Sequence, residues 1–167
     1  LEKDPEISGY VKLVNKDSLK ANVEKLVSFG TRHTMSSTTD KDKGIGAART
    51  WVLSKFKDYA KNSGGRMEVF LQNEDLQPDG KRINKVTNLG NAIGLLKGTD
   101  PLDKRIIIIS GHLDSRVSDV LNAKDYSPGA NDDGSGVAAV IESARILSKS
   151  KFPMTILFVA VSGEEQG

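Results

Sequence analysis

The sequence predicts an α/β protein built around parallel strands, and three observations carry that reading. Ile106-Ile107-Ile108-Ile109 is a run of four β-branched residues with no polar alternation. That is the pattern of a strand buried on both faces at the centre of a parallel sheet. Thr155-Ile156-Leu157-Phe158-Val159-Ala160-Val161 has the same character. Between them, Ser135 to Ser148 carries Val137, Ala138, Val140, Ile141, Ala144 and Leu147 as the apolar stripe of a helix. Strand, helix, strand at this spacing is a βαβ crossover, which joins parallel strands and is almost always right-handed.

Upstream elements follow from the same periodicities. Leu19, Val23, Leu26 and Val27 share one helical face, with Asp17 or Ser18 as the expected cap and Gly30 as the stop. The polar stretch from Thr31 to Lys43 reads as a loop. A second helix spans Ile45 to Ala60, with Ile45, Ala48, Val52, Phe56 and Tyr59 apolar, and Gly64-Gly65 ends it. Met67 to Leu71 is a strand, and Gln77-Pro78-Asp79-Gly80 a turn. Val86 to Leu96 reads as an interrupted strand, where Gly90 and Gly94 mark bulges or close backbone approach.

Composition narrows the function. At 167 residues one domain is the default, and 37% hydrophobic with 28% charged residues is ordinary for a globular chain. No apolar run approaches the ~20 residues that span a bilayer. A net charge of +2, without basic clusters interleaved with aromatics, excludes nucleic acid as an expected partner. Cysteine is absent, so a metal would be held by His, Asp and Glu. The chain opens Leu1-Glu2-Lys3 without Met or an apolar signal core, as a trimmed product would.

Three chemistry-bearing motifs follow the parallel unit. His112 comes after the first apolar strand, Glu164-Glu165 after the second, and Asp132-Asp133 just before the intervening helix. Ligand sites in open α/β sheets form outside the carboxyl ends of parallel strands, so all three converge there. His112 offers an imidazole, and Asp114 is placed to accept a hydrogen bond from its second ring nitrogen. A buried, backbone-satisfied histidine is the plain alternative for a lone His, but His-x-Asp at a strand end favours a ligand. Asp132 or Asp133 could simply cap the helix. Glycines closing on an acidic pair also let a carboxylate bridge two cations about 3.5–4 Å apart. Glu164 and Glu165 could be solvated acids, yet they leave a fully apolar strand. One could then ligate metal while the other takes a proton from activated water. His33 reads as structural and Trp51 as packing. No Gly-x-Ser-x-Gly elbow and no phosphate loop is present.

Gly111-His112-Leu113-Asp114-Ser115, Pro128 to Gly136 and Ser162 to Gly167 together resemble the M28 peptidases, co-catalytic zinc aminopeptidases and related carboxypeptidases. The resemblance is strongest over residues 105–167. Gly30-Thr31-Arg32-His33 and the Gly44–Phe56 helix are similar to the family's N-terminal region. The resemblance implies a three-layer α/β/α fold of zinc-exopeptidase type, with a mixed, centrally parallel sheet. It implies one catalytic domain over 1–167, with 1–30 as its N-terminal helical segment. His112 would ligate one Zn2+, Asp132 would bridge both, and Glu165 would ligate the other. Glu164 would be the general base, Asp114 would orient His112, and the Asp132–Asp133 peptide would be cis. The same donors suit Co or Mn.

The family carries a further Asp and a further His ligand beyond the Glu pair. Because the chain ends at Gly167, it is expected to be an incomplete domain, truncated after the strand preceding Glu164-Glu165 and inactive by itself. The expected parent is a secreted or periplasmic exopeptidase, an aminopeptidase acting on peptides with a free N-terminus. Two alternatives stand beside it: a zinc acyltransferase of glutaminyl cyclase type, and a non-catalytic binding module on the same fold.

Overall fold

The computed structural model describes residues 3–167. Helices α1 (Pro5–Lys12), α2 (Lys16–Ser28) and α3 (Gly44–Ala60) lead into the hairpin of β1 (Met67–Leu76) and β2 (Thr87–Leu96). β3 (Ile106–His112), α4 (Gly136–Leu147) and β4 (Thr155–Val161) follow. The cap of α2 is Asn15, not Asp17 or Ser18. Its side-chain oxygen accepts the Asp17 and Ser18 N–H groups at 2.9 and 3.0 Å. A cap needs non-helical backbone; Asn15 is extended, whereas Asp17 and Ser18 already lie in the first turn.

β1 runs five residues past its expected end. Its polar tail is held by pairing rather than by propensity: Gln72 to Leu76 align with Asn91 to Thr87. Side-chain bonds from Asn91 to Gln72 and from Asn88 to Asp75 reinforce the ladder. β2 is unbroken, so its glycines mark close approach and not bulges. A Cβ on Gly90 would stand 3.0 Å from the Arg49 guanidinium, and one on Gly94 would stand 2.5 Å from Met67 Cε.

The sheet is mixed, in the order β1-β2-β4-β3. β2 runs antiparallel to both β1 and β4, while β3 and β4 are parallel with His112 opposite Val161. α3 packs on β1 and β2, α4 packs on β3 and β4, and α2 lies against α4. Leu26, Phe29, Ile45, Val52, Phe56, Leu96, Leu113, Ile141 and Phe158 form the buried core between them.

The expected two-sided burial of the isoleucine strand is not what β3 shows. Among the described residues β3 has one neighbour, β4, and stands at the sheet edge. Ile106, Ile107 and Ile108 are 58%, 47% and 62% exposed. Their β-branched side chains suit an extended backbone, but among the described residues no second strand pairs with β3 to cover them.

Where α4 crosses β3 the two backbones nearly touch. A Cβ on Gly111 would meet Gly136 C and Val137 N, each at 2.8 Å, and the Asp133 carboxylate at 3.0 Å. This approach sets His112 beside the start of α4. Gly111→Ala should therefore destabilise the chain by about 1–3 kcal/mol through overpacking. Urea unfolding of the two proteins measures it, and an unchanged midpoint would refute the close-approach account.

Candidate metal centre

Parallel pairing brings the motifs together. His112 ends β3, level with Val161 at the end of β4, and Glu164 opens a short turn three residues beyond. Asp132 arrives from the turn Ala130–Ser135 ahead of α4. His112 Nε2 lies 2.9 Å from Asp132 Oδ1 and 3.8 Å from Glu164 Oε2. Ligand atoms of His112, Asp132 and Glu165 all fall within 4.8 Å of one another.

The two aspartates divide their tasks. The Asp133 carboxylate accepts Gly136 N–H at 3.0 Å, capping α4, and His112 N–H at 2.9 Å, tying the helix start to the strand end. Asp132 points outward with its side chain 76% exposed. Its peptide bond to Asp133 is cis. The capping alternative thus holds for Asp133, and the Asp132 carboxylate is left exposed beside His112.

Asp114 differs in detail from the expected orienting bond. His112 Nδ1 lies 3.1 Å from the backbone carbonyl of Asp114 and 3.7 Å from its carboxylate Oδ1. The carboxylate is turned because its other oxygen is already engaged, accepting Thr34 Oγ1–H at 2.9 Å and Glu165 N–H at 3.1 Å. Either acceptor requires a proton on Nδ1, which leaves Nε2 as the lone pair facing Asp132 and Glu164.

Glu165 is tethered from three sides. Asp114 takes its N–H, Arg82 Nη2–H donates to its carbonyl at 2.8 Å, and Arg116 Nε–H donates to its Oε2 at 2.8 Å. Glu164 is free by comparison, its side chain 59% exposed. Arg82 and Arg116 come from loops whose reach is invisible in local patterns.

The residue that sequence reasoning leaves without a role is Arg32. It is 1% exposed. Its guanidinium donates to the carbonyls of Leu113 at 2.7 Å, Leu26 at 3.1 Å, Pro128 at 2.6 Å and Gly129 at 2.9 Å. Burial lowers its pKa to about 10, while Asp114 and Asp133 oppose that shift, so it stays charged at neutral pH. Gly129, at φ +46°, is the residue that lets the loop fit: a Cβ there would lie 2.9 Å from Arg32 Nη2 and 2.5 Å from Asp132 O. His33 is structural, as expected. Its Nδ1 accepts Met35 N–H at 3.0 Å, so Nε2–H donates to Val120 O at 3.0 Å. Trp51 packs against Phe29.

The donor set fits zinc. One imidazole nitrogen and two carboxylates converge, thiolates are absent, and an outer carboxylate backs the imidazole. Asp114 Oδ1 is buried without a hydrogen-bond partner and faces the ring, as an acceptor for a metal-ligating imidazole would.

A mixed α/β sheet with a His, Asp and Glu cluster at the carboxyl ends of its parallel strands defines the zinc-exopeptidase class of fold. Residues 91–167 match the model of peptidase family M28. A probable zinc metalloprotease of Pyricularia oryzae is 45% identical over 164 residues, covering 98% of this chain and 32% of that protein. Leucine aminopeptidase 1 of Fusarium vanettenii is 30% identical, covering 99% and 39%. Among solved structures, LapB of Legionella pneumophila superposes with a TM-score of 0.73 at 21% identity, covering 99% of this chain and 40% of that one. A glutaminyl cyclase of Bacteroides thetaiotaomicron, bound to N-acetylhistamine, gives 0.68 at 25%, covering 90% and 47%. The match over residues 91–167 and the relatives named zinc metalloprotease support reading the chain as part of an M28 zinc peptidase. The chain spans about a third of the length of the curated relatives it matches.

Two predictions follow from this geometry. Arg32→Met should cost about 3–5 kcal/mol, because buried carbonyls lose a charged donor; urea unfolding reads it, and a loss near zero would sink the hub assignment. The two histidines should titrate apart. Burial lowers the His33 pKa. Burial also opposes charging of His112, but Asp114, Asp133 and Glu164 outweigh it, and the pKa is raised. Unfolded imidazoles titrate near 6.5. His33 therefore removes stability as pH falls below that value. In the metal-free chain His112 adds stability that is complete below 6.5 and is lost as pH rises through its higher folded pKa. Imidazole NMR on the metal-free chain should show one ring titrating on each side of 6.5, and His33→Gln should delete the lower one. Two coincident titrations would contradict the assignment.

Proposed function

We propose that the chain carries part of the catalytic centre of a dizinc exopeptidase, most simply an aminopeptidase. One observation supports this above the others: His112, Asp132 and Glu165 present ligand atoms within 4.8 Å of one another, with the uncommitted Glu164 carboxylate beside them. Zinc, when bound, supplies Lewis acidity to the scissile carbonyl and acidity to water. Asp132, whose exposed carboxylate is near both His112 and Glu165, would be the ligand shared by the two ions. His112 and Glu165 each serve one ion. Glu164 takes a proton from water on Oε2 and passes it to the leaving amine. The free N-terminus of a peptide docks on the same edge of the sheet.

The likeness to a leucine aminopeptidase supports the amino-end preference. The likeness to glutaminyl cyclases makes cyclisation of N-terminal Gln the rival chemistry. The paired glutamates favour hydrolysis, because one can hold metal while its neighbour works as a base.

Zinc binding is measured on the chain, and turnover on protein of the relatives' full span. His112→Ala, Asp132→Ala and Glu165→Ala should each lose zinc. Glu164→Gln should keep zinc and lose hydrolysis of an aminoacyl-p-nitroanilide by about 10²–10⁴-fold. Cyclisation of a glutaminyl peptide without nitroanilide turnover would overturn the peptidase reading, and Glu164→Gln with full activity would remove the base.

A further inference from the structure

We propose that Thr34 is a positioning residue for the metal centre, acting through Asp114 on the imidazole of His112. The inference rests on reading His112, Asp132 and Glu165 as metal ligands. Thr34 lies in the loop before α3, 80 residues from Asp114 in sequence, and both are buried.

A carboxylate can pivot about its Cβ–Cγ bond unless an oxygen is held. Asp114 Oδ2 is held twice, by Thr34 Oγ1–H at 2.9 Å and by Glu165 N–H at 3.1 Å. Oδ1 has no hydrogen-bond partner and stands 3.7 Å from His112 Nδ1. A buried oxygen left unpaired is costly. The imidazole it faces already bonds the Asp114 carbonyl. Thr34 thus keeps the Asp114 carboxylate on the Nδ1 side of the ring, beside the Asp114 carbonyl that already accepts there. That arrangement demands a proton on Nδ1 and leaves Nε2 for a metal. Without the Thr34 hydroxyl, Oδ2 keeps only the Glu165 amide. The carboxylate can then turn, and the ring keeps only the Asp114 carbonyl to hold its tautomer.

The test compares Thr34→Val, which replaces the hydroxyl with a methyl, and Thr34→Ser, which keeps it, with the unaltered chain and His112→Ala. Zinc affinity is read by competition with a chromophoric chelator. The tautomer of His112 is read from its ring 15N shifts in the metal-free chain at a fixed alkaline pH. Thr34→Val should bind zinc about tenfold more weakly and move the His112 shifts toward a mixed tautomer, and Thr34→Ser should restore both. Thr34→Ala takes the place of Thr34→Val if the latter does not fold. Unchanged affinity and unchanged 15N shifts would overturn the inference. If the unaltered chain binds zinc no better than His112→Ala, the metal reading falls instead, and the 15N comparison still decides whether Thr34 sets the ring.

Discussion

The buried guanidinium of Arg32 is the interaction on which the site's geometry rests. It binds carbonyls from three places: the end of α2, the residue after His112, and the loop entering the Asp132 turn. None of these segments is adjacent in sequence. Desolvating a guanidinium costs several kcal/mol, and charge-assisted bonds of about 1.5–3 kcal/mol each offset it. Asp114 and Asp133 add favourable charge without touching it. This positive centre therefore opposes the repulsion among the carboxylates that converge at the strand ends.

Around that hub, the parallel pair β3 and β4 supplies direction and the small residues supply proximity. A parallel pair puts both strand ends on one edge, so a residue after each strand reaches the same point. Gly111 and Gly136 bring the helix start against the strand end, and the Asp133 carboxylate closes the remaining gap by bonding to both. The helix start is thus fixed to the strand end by close backbone approach and one short carboxylate, while the long arginines hold the loops around them.

What the sequence makes legible follows from the range of the interactions involved. β4 and the helix before it are set by local apolar periodicity, and the structure places them as expected. His112, Asp132 and Glu165 are legible because each motif sits at a strand end or helix start, where fold class alone decides the meeting point. The burial of β3 is not legible, since four isoleucines describe a preference for cover and not the cover itself. The tail of β1 is illegible for the opposite reason: polar residues there are held by a partner strand that local propensity does not see. Arg32 and Thr34 escape because their partners lie 80 residues or more away for every bond but one.

Adjacent acids in this site are given unlike work by what surrounds them, and the same device is used twice. In Asp132-Asp133 the second residue is consumed by backbone N–H groups, and the first is left exposed beside the imidazole Nε2. In Glu164-Glu165 the second is fixed at its N–H, its carbonyl and one carboxylate oxygen, while the first keeps its freedom. A ligand benefits from being fixed, because fixation removes the entropy lost on binding. A proton carrier must instead reach two positions, the water it activates and the group that leaves. The tether on Glu165 and the liberty of Glu164 match those opposite demands, as the proposed division into ligand and base requires.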